Sequence, residues 1–426
     1  MSNKTIVLGA GISGISAAYH LGLKNIDATI YEKDSEWGGL CGNFTLDGFR
    51  FDKSVHLSFT SDEYVQKLMY GETPYHKHAP EASNYYEGCW VKHPAQNNLF
   101  PLPAETKVKI LSGFIENEGK EHEITNYESW LRAQFGDYFA EKFPMRYTRK
   151  YWTVNASELS TTWVGTRLSQ PNIEEVLLGS YTSDIPNAYY AKEMRYPKKG
   201  GYKSFLTTMQ KKCTIKLNKE ACAINPESKE ITFDDGTIES YENLVSSLPI
   251  PHMIELLPNV PQEVVTASEK LLPSSVAIVS LGFNKPDLAK HLWYYIYDEE
   301  FLPARCYSPS IKSPDNAPDG CSSVQFEVYF SNRKDLALKG DALIDHIISN
   351  GIQMGLFTKE DIVVKDARIL PYGNIIFYEG MEADRQIVLD YLASLNIYGV
   401  GRFGKWEYLW TDQCVLTGRD IVAENF

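Results

Sequence analysis

The stretch Lys4-Thr-Ile-Val-Leu-Gly9-Ala-Gly11-Ile-Ser-Gly14 decides the fold of this chain. It joins a short apolar run to three glycines in G-x-G-x-x-G spacing, and small residues follow as far as Leu21. A second apolar run, Ala28 to Tyr31, ends at Glu32. Strand, glycine turn, helix, strand and acid, in this order, form the dinucleotide-binding fingerprint. The sequence therefore predicts a βαβ unit that binds a dinucleotide.

Each glycine of the motif has its own task. Gly9 allows the tight turn, Gly11 lets the backbone approach a pyrophosphate, and Gly14 lets the helix pack closely on the sheet. The helix N-terminus offers free N–H groups to the phosphates. Glu32 lies near the expected distance for a partner of a ribose hydroxyl. The predicted cofactor contacts of this unit are Gly9, Gly11, Ile12, Ser13, Gly14, Glu32 and Lys33.

Hydrophobic periodicity predicts the elements that follow. Helices are expected over 127–143, 204–211, 341–354 and from about Asp412, and strands within 214–248 and over 276–283, 322–330 and 397–400. The segment 60–125, rich in Pro, Tyr, Asn and charge, predicts loops with short elements, with His76 and His78 in a surface loop.

The predicted fold class is α/β, with a Rossmann-like cofactor domain built from discontinuous segments and an inserted α+β substrate domain. We assign residues 1–75, 190–275 and 365–426 to the cofactor domain. Residues 76–189 and 276–364 then form the substrate domain, which is partly helical and partly an antiparallel sheet. Such long insertions are tolerated because the entropy of loop closure grows slowly with length.

Composition excludes several classes of partner. The formal net charge is −13, from 42 Lys and Arg against 55 Asp and Glu, which disfavours nucleic acid and acidic membrane surfaces. No stretch of 18 apolar residues predicts a membrane span. The seven cysteines form no CxxC pair and no metal-ligand spacing, so we expect reduced thiols, a cytoplasmic protein and no metal site.

The fingerprint does not separate flavin from nicotinamide, and further features favour FAD. Gly38-Gly39, six residues past Glu32, resembles the second glycine motif of the glutathione-reductase-type flavoproteins, although Leu40 replaces the usual arginine. A plain turn is the alternative for these glycines. A C-terminal run, Gly401 to Tyr408, precedes a helix whose N-terminus can face a flavin. We therefore add Gly38, Gly39 and Leu40 to the FAD contacts.

Several segments resemble the UDP-galactopyranose mutases, especially the eukaryotic type, and the wider set of protoporphyrinogen-oxidase-like and amine-oxidase-like flavoproteins. The stretches that carry this resemblance are Val55 to Phe59, Val91 to Asn98, Trp163 to Arg167, Trp293 to Arg305, and Gly401 to Tyr408 with Asp412. The resemblance spans nearly the whole chain but is patchy. Its more specific parts are Pro94-Ala-Gln-Asn-Asn98 and the C-terminal Gly-Arg-Phe-Gly segment.

The resemblance implies a set of functional residues. The implied catalytic residues are His56, Arg167, Arg305, Tyr295 and Tyr408. The implied further FAD contacts are Val55, His56, Gly401, Arg402, Asp412 and Gln413. The implied substrate contacts are Gln96, Asn97, Arg167, Tyr294, Tyr295, Arg305, Lys312, Tyr372, Asn374 and Tyr408. Two guanidinium groups suit a diphosphate, since each can bind phosphate oxygens in a forked pair. For each arginine the alternative is a surface ion pair, and for His56 it is a packing histidine.

The chain also departs from the mutases. Lys312 stands where they have another pyrophosphate-binding tyrosine, and Asn374, with Tyr372 nearby, stands where they have a tyrosine near the flavin. The sugar and the nucleotide therefore stay open.

The sequence is compatible with three functions. The first is a nucleotide-sugar mutase of polysaccharide biosynthesis. In this family, reduced flavin attacks the anomeric carbon of the sugar while arginines hold the pyrophosphate, and NAD(P)H is a candidate reductant. The second is a flavin-dependent amine or protoporphyrinogen oxidase or dehydrogenase. The third is a flavin-binding protein without catalysis, as a partner in a glycan-assembly complex. The oligomeric state is open.

Overall fold

The computed structural model describes residues 4–165, 171–185 and 191–426. In chain order the strands are β1 (Thr5–Leu8), β2 (Ala28–Tyr31), β3 (Asn43–Leu46), β4 (Phe49–Asp52), β5 (Tyr75–His78), β6 (Ala82–Tyr86), β7 (Cys89–Lys92), β8 (Met194–Pro197), β9 (Thr214–Lys216), β10 (Ala221–Asn225), β11 (Glu230–Phe233), β12 (Ile238–Ser240), β13 (Asn243–Ser246), β14 (Pro273–Phe283), β15 (Trp293–Ile296), β16 (Arg305–Tyr307), β17 (Ser322–Phe330), β18 (Ile362–Ile375) and β19 (Ile397–Gly399). The helices are α1 (Ile12–Leu23), α2 (Glu63–Tyr70), α3 (Ala104–Asn117), α4 (Tyr127–Phe135), α5 (Asp137–Lys142), α6 (Pro144–Tyr151), α7 (Ile173–Tyr181), α8 (Thr207–Gln210), α9 (Ile250–Glu255), α10 (Gln262–Lys270), α11 (Pro309–Lys312), α12 (Gly340–Gln353), α13 (Met381–Ser394), α14 (Gly401–Lys405) and α15 (Thr411–Asn425).

A parallel sheet in the order β19-β13-β1-β2-β9 forms the first layer. Its central strand β1 is fully buried and pairs with β13 on one side and β2 on the other. Helix α15 crosses α1 closely: Ser16 Oγ donates to Val415 O over 2.6 Å, and a Cβ on Gly418 would lie 2.6 Å from Ala17 N. The predicted Rossmann-like α/β class is confirmed.

A larger sheet in the order β18-β14-β17-β16-β15-β6-β7 forms the second layer. All its neighbours are antiparallel except β6 and β15, which run parallel. One face of β17 is apolar and packs on α12, with Phe326 and Ile347 in one buried cluster. The other face carries Ser323, Gln325 and Glu327, and Gln325 Nε2 donates to Asp52 O of β4 over 3.1 Å. The polar face of the larger sheet therefore lies against β4, which pairs with β3 in a separate two-stranded sheet.

The two layers draw on separated parts of the chain. Strands β1 and β2, β9 and β13, and β19 come from three distant segments and meet in one parallel sheet. All of β14 and all of β18 lie in the larger sheet. The domain borders that we placed at 275/276 and 364/365 therefore fall inside these two strands.

Within the described ranges, no helix is both long enough and apolar enough to cross a bilayer.

Three local predictions were wrong. The helix expected over 127–143 breaks at Gly136, whose φ is 72° and where a Cβ would lie 2.6 Å from the carbonyl carbon of Gly113 in α3. The segment 60–125 contains α2 and the 14-residue α3, whose buried residues are only Ile110 and Phe114. His76 and His78 lie on strand β5, paired with β8, not in a loop.

Candidate functional site

The first glycine turn connects β1 to α1. Gly9 adopts a φ of 91°, which L side chains rarely adopt, and its N–H donates to Tyr31 O over 2.9 Å. A Cβ on Gly14 would collide with the carbonyl oxygen of Gly9. Helix α1 begins at Ile12, and no side chain caps its N-terminus. The first N–H groups of α1 therefore stay available to an anion.

The second glycine turn lies directly on the first. Gly38 N donates to Ala10 O over 2.8 Å, and Gly38 pairs with Gly11 in a parallel bridge. A Cβ on Gly39 would lie 3.0 Å from Gly11 Cα, whereas the atom nearest to a Cβ on Gly11 is 4.0 Å away. Two stretches of bare backbone thus form a cradle beside the helix N-terminus, and a side chain at Gly11 would fill it. This cradle fits the pyrophosphate of FAD. Leu40 follows it, half-buried, in a 3₁₀ turn.

Glu32 is buried at the end of β2 and holds this cradle. Its Oε2 accepts from Ala10 N over 2.7 Å and its Oε1 accepts from Asp34 N over 3.0 Å. A carboxylate offers about four lone-pair sites, so two remain for ribose hydroxyls. Lys33 turns away to the surface, with Nζ 3.8 Å from Glu220 Oε1.

The C-terminal segment returns to the same place. Gly401 has a φ of 75°, and a Cβ there would collide with Ser13 Oγ. The Arg402 guanidinium donates to Leu409 O from Nε over 3.0 Å and from Nη2 over 2.6 Å. Asp412 lies in the first turn of α15, and Gln413 Oε1 accepts from Trp410 N over 2.8 Å, which caps that helix.

His56 stacks on Tyr202, with ring centroids 4.9 Å apart, and its Nδ1 donates to Ser54 O over 3.1 Å. Burial, together with the positive charges of Lys312, Arg402 and Arg305, lowers the pKa of His56 to about 3. The imidazole is therefore neutral at physiological pH, and its Nε2 is an acceptor. Val55, beside it, packs against a buried cluster that includes Trp293.

Arg305 is the best-defined cation of the site. It begins β16 opposite Glu327 of β17, and its Nε donates to Glu327 Oε2 over 2.7 Å. Its Nη2 donates to Tyr329 OH over 3.2 Å, and that hydroxyl donates to the same carboxylate. Burial lowers the pKa of Arg305, but Glu327 and the surrounding phenols outweigh it and hold that pKa well above its ordinary value. Glu327 Oε1 is buried without a hydrogen bond from any described residue.

Tyrosines form a wall around Arg305. Tyr295 pairs with Arg305 in the β15–β16 register, and its ring centroid lies 5.3 Å from that of Tyr147. Tyr147 stacks on Tyr151 with an interplanar angle of 16°, and the Tyr151 ring lies 5.6 Å from the Arg305 guanidinium carbon. Tyr294 points to the opposite face of β15, where its hydroxyl accepts from two backbone N–H groups of residues 290 and 291. The structure therefore does not bring Tyr294 to Arg305.

A second aromatic group surrounds Tyr408. Its centroid lies 5.5 Å from that of Trp152, 5.9 Å from Trp163 and 5.8 Å from Phe377, with the Arg402 guanidinium 5.0 Å away. Tyr408 raises the pKa of Tyr151 and of Tyr295, so the two aromatic groups lie close to each other.

Asn374 and Tyr372, which stand where the mutases have a tyrosine near the flavin, lie in different surroundings. Asn374 Nδ2 donates to Tyr151 OH over 3.1 Å, so Asn374 supports the tyrosine wall. Tyr372 packs on Phe403 with centroids 5.7 Å apart and is half-buried.

Lys312 is fully buried, and its Nζ lies 3.6 Å from Asp52 Oδ2 and 4.5 Å from the centroid of Tyr307. Asp52 also accepts from Tyr196 OH over 2.7 Å. Burial lowers the pKa of Lys312, and burial raises the pKa of Asp52 although Lys312 opposes it. Lys312 Nζ donates no hydrogen bond to any described residue, so this ammonium is the least satisfied charge of the site.

Gln96 and Asn97 are buried in the 3₁₀ turn 95–97. Asn97 Nδ2 donates to Glu175 Oε2 of α7 over 3.3 Å, so this side chain faces α7. The segment reaches the tyrosine wall through His93, whose ring lies 4.7 Å from that of Tyr295. Arg167 lies outside the described residues.

The predicted residues that the structure brings together are His56, Arg305, Arg402, Tyr295, Tyr408 and Lys312. Sequence reasoning missed Glu327, Tyr329, Tyr147, Tyr151, Tyr202 and Asp52. The alternation over 322–330 puts Glu327 and Tyr329 on one face and was a usable signal. The helix that carries Tyr147 and Tyr151 gave no usable sequence signal, because charged residues interrupt its apolar periodicity.

Comparison with known proteins agrees with this geometry. The family described as the NAD(P)-binding Rossmann-like domain matches residues 7–70. The crystal structure of reduced UDP-galactopyranose mutase superposes with a TM-score of 0.92 at 25% identity, over 99% of this chain and 95% of that one. A protein described as a putative protoporphyrinogen oxidase from Exiguobacterium sp. 255-15 superposes with a TM-score of 0.76 at 16% identity, over 100% and 98%.

Curated relatives are more distant or match only in part. The 4,4'-diapophytoene desaturase of Staphylococcus haemolyticus is 40% identical over 58 residues, which are 14% of this chain and 12% of that protein. The chain therefore spans about an eighth of that relative. The 4,4'-diapolycopene oxygenase of Methylomonas sp is 22% identical over 377 residues, which cover 76% of this chain and 75% of that protein.

The fold and the glycine cradle define an FAD-dependent flavoprotein with a Rossmann-like nucleotide domain. Within that class its fold is that of UDP-galactopyranose mutase, and protoporphyrinogen-oxidase-like and amine-oxidase-like flavoproteins share it at lower similarity.

Proposed function

We propose that this protein is an FAD-dependent nucleotide-sugar mutase of polysaccharide biosynthesis, in which Arg305 binds the diphosphate of the substrate. The observation that carries the proposal is the partly buried Arg305 guanidinium, which Glu327 and Tyr329 hold inside a wall of tyrosines. Because the same pocket contains His56, next to the C-terminal FAD segment, the diphosphate would lie close to the cofactor. The likeness to UDP-galactopyranose mutase over 99% of the chain supports this reading.

The charges of the pocket suit an anion. Arg305, Arg402 and Lys312 contribute three positive charges, whereas Asp52 and Glu327 contribute two negative ones. Two N–H groups of Arg305 donate to Glu327 and Tyr329. No described residue accepts a hydrogen bond from the remaining N–H groups of Arg305. Those N–H groups can bind phosphate oxygens in a forked pair. We keep Arg167 as a proposed second cation.

The aromatic walls suit a sugar and a base. Tyr295, Tyr151 and Tyr408 present ring faces for stacking and hydroxyl groups for hydrogen bonds. Their packing also excludes water, which strengthens each charge–phosphate interaction.

When bound, FAD supplies the covalent and electron chemistry. The chain's own residues do the rest: Arg305 steadies the departing diphosphate, the tyrosine walls orient the sugar, and neutral His56 offers an acceptor at Nε2 without adding charge. The proposed division into a discontinuous cofactor domain and an inserted substrate domain would place this pocket between the two sheets. NAD(P)H as reductant and a cytoplasmic location belong to the same proposal.

An FAD-dependent oxidoreductase is the second candidate. The desaturase and oxygenase relatives favour it. The two candidates differ in their demand for an anion. A mutase needs the diphosphate, whereas an oxidase for a neutral substrate does not.

The test is a turnover assay with the FAD-loaded protein before and after reduction by dithionite. We expect a ring-isomerised sugar from one member of a panel of nucleoside diphosphate sugars, with reduced protein only. Arg305→Lys should lose most of this activity, because ammonium cannot reproduce the forked contact, and surface variant Arg419→Lys should retain it. Oxygen consumption with amines or porphyrinogens, without sugar conversion, would refute the mutase and establish the second candidate.

A further inference from the structure

A cavity of about 380 Å³ opens at the C-terminal end of α6. The charged side chains that line it are Arg149, Lys150, Arg333, Lys334, Glu158 and Glu299. Four cations against two carboxylates leave an excess of two positive charges. The whole chain carries 55 acids and 42 bases, so this cavity has the opposite sign to the protein around it.

The pairing inside the cavity leaves two ammonium groups without a carboxylate. Arg149 Nε binds Glu299 Oε1 over 2.7 Å, and Arg333 pairs with Glu158. Lys150 Nζ instead donates to two backbone carbonyls, those of residues 296 and 298, each over 2.8 Å. Lys334 Nζ donates to the carbonyl of Arg149 over 3.1 Å. Neither lysine forms an ion pair in the part of the chain that the structure describes.

Lys150 is unusual because it is only 4% exposed. Burial lowers its pKa well below the ordinary value, although Asp298 opposes this, and burial also lowers the pKa of Lys334. Burying a charge without a partner costs several kcal/mol. An anion bound between the two lysines would offset that cost and raise both pKa values.

The turn beside the cavity is strained. Thr153 lines the cavity and has a φ of 66°, which is rare for a β-branched residue. Its Oγ1 donates to Ser331 Oγ over 2.7 Å, which fixes the turn against the segment of Arg333 and Lys334. Backbone strain of this kind concentrates at ligand sites.

We propose that this cavity binds a small molecule with adjacent phosphate groups, as a site separate from the FAD and Arg305 pockets. A volume of about 380 Å³ is within the range of small-ligand sites. Arg149 and Arg333 supply forked donors, and Lys150 and Lys334 supply unpaired charge. Helix α6 carries Tyr147 and Tyr151 to Arg305 and ends at this cavity, so the ligand would contact an element of the candidate active site. The binding itself does not depend on the proposed function.

The test is calorimetric titration of the full-length, FAD-loaded protein with inorganic pyrophosphate. We expect saturable binding by the native chain and by Arg305→Gln, which lacks the diphosphate contact of the proposed function. Adding Arg333→Gln/Lys334→Gln to Arg305→Gln should weaken binding at least about tenfold. The matched control Lys339→Gln/Lys359→Gln removes two exposed charges elsewhere and should bind like the native chain. Glu158→Gln/Glu299→Gln should bind more tightly, because the competing carboxylates are gone.

Each failure has a distinct meaning. If the native chain gives no saturable heat, or if adding Arg333→Gln/Lys334→Gln to Arg305→Gln leaves the affinity unchanged, the proposed site does not exist. Loss of binding in Arg305→Gln alone would assign the pyrophosphate to the candidate active site and would also overturn the proposal. Absence of sugar conversion leaves these results unaffected, so the proposed function can fail independently.

Discussion

Arg305 and Glu327 face each other across β16 and β17, with the guanidinium Nε 2.7 Å from the carboxylate Oε2. Glu327 is 1% exposed, so each charge depends on the other. This pair keeps a positive group inside an aromatic pocket, where an isolated one would be expelled or neutralised.

Removing one partner should therefore cost more than removing both. We expect Glu327→Leu to destabilise the protein by about 3 kcal/mol, because it leaves Arg305 largely buried without a counter-charge. The double variant Arg305→Met/Glu327→Leu should recover part of that loss. Denaturant unfolding of the single and double variants measures the difference. Strictly additive losses would show that the two side chains do not stabilise each other.

The glycine cradle offers a matched pair of substitutions. Gly11→Val should fold, because the atom nearest to an added Cβ is 4.0 Å away, but should lose FAD, because the side chain fills the cradle. Gly22→Val, on the same helix and with open space around it, should retain FAD. The flavin absorbance of each purified protein, relative to its absorbance at 280 nm, measures occupancy. A fully loaded Gly11→Val protein would remove the pyrophosphate from this cradle.

Stability should fall in acid partly because of His56. Its pKa is about 3 in the folded protein and about 6.5 in the unfolded chain. Between these values the unfolded state binds the extra proton, so the free energy of unfolding drops as the pH falls, by up to about 1.4 kcal/mol per pH unit. His93, with a pKa of about 4, adds to the same window.

His56→Phe keeps a ring against Tyr202 but cannot be protonated, so its stability should depend less on pH between about 6.5 and 3 than that of the native chain. His122→Phe, at an exposed position, is the control and should follow the native curve. Urea midpoints at several pH values measure both. If His56→Phe and the native chain have the same pH profile, the burial of His56 is wrong.

The cofactor half of the site could be predicted from sequence because its signals are local. Gly9, Gly11 and Gly14 are needed at a single turn, and the Gly38-Gly39 pair follows at short range. The structure adds that the two turns pair through Gly38 N and Ala10 O, a contact between segments that no local pattern encodes.

The substrate half depends on strand register, which sequence alone does not fix. Tyr294 and Tyr295 are adjacent in sequence and point to opposite faces of β15. Only the pairing of β15 with β16 shows that Tyr295 lies opposite Arg305. Glu327 likewise becomes a partner of Arg305 only through the β16–β17 register. The helix break at Gly136 follows from close packing on Gly113, a contact between two separate helices.

The central claim is that the Arg305 guanidinium binds a nucleoside diphosphate next to the flavin. Titrating the FAD-loaded protein with UDP, and following the flavin absorption band, tests it in native, Arg305→Lys and Arg419→Lys proteins. We predict saturable spectral change in the native and Arg419→Lys proteins, and affinity at least about tenfold lower in Arg305→Lys. Equal affinity in all three proteins, or no spectral change at all, would show that the diphosphate does not bind at Arg305.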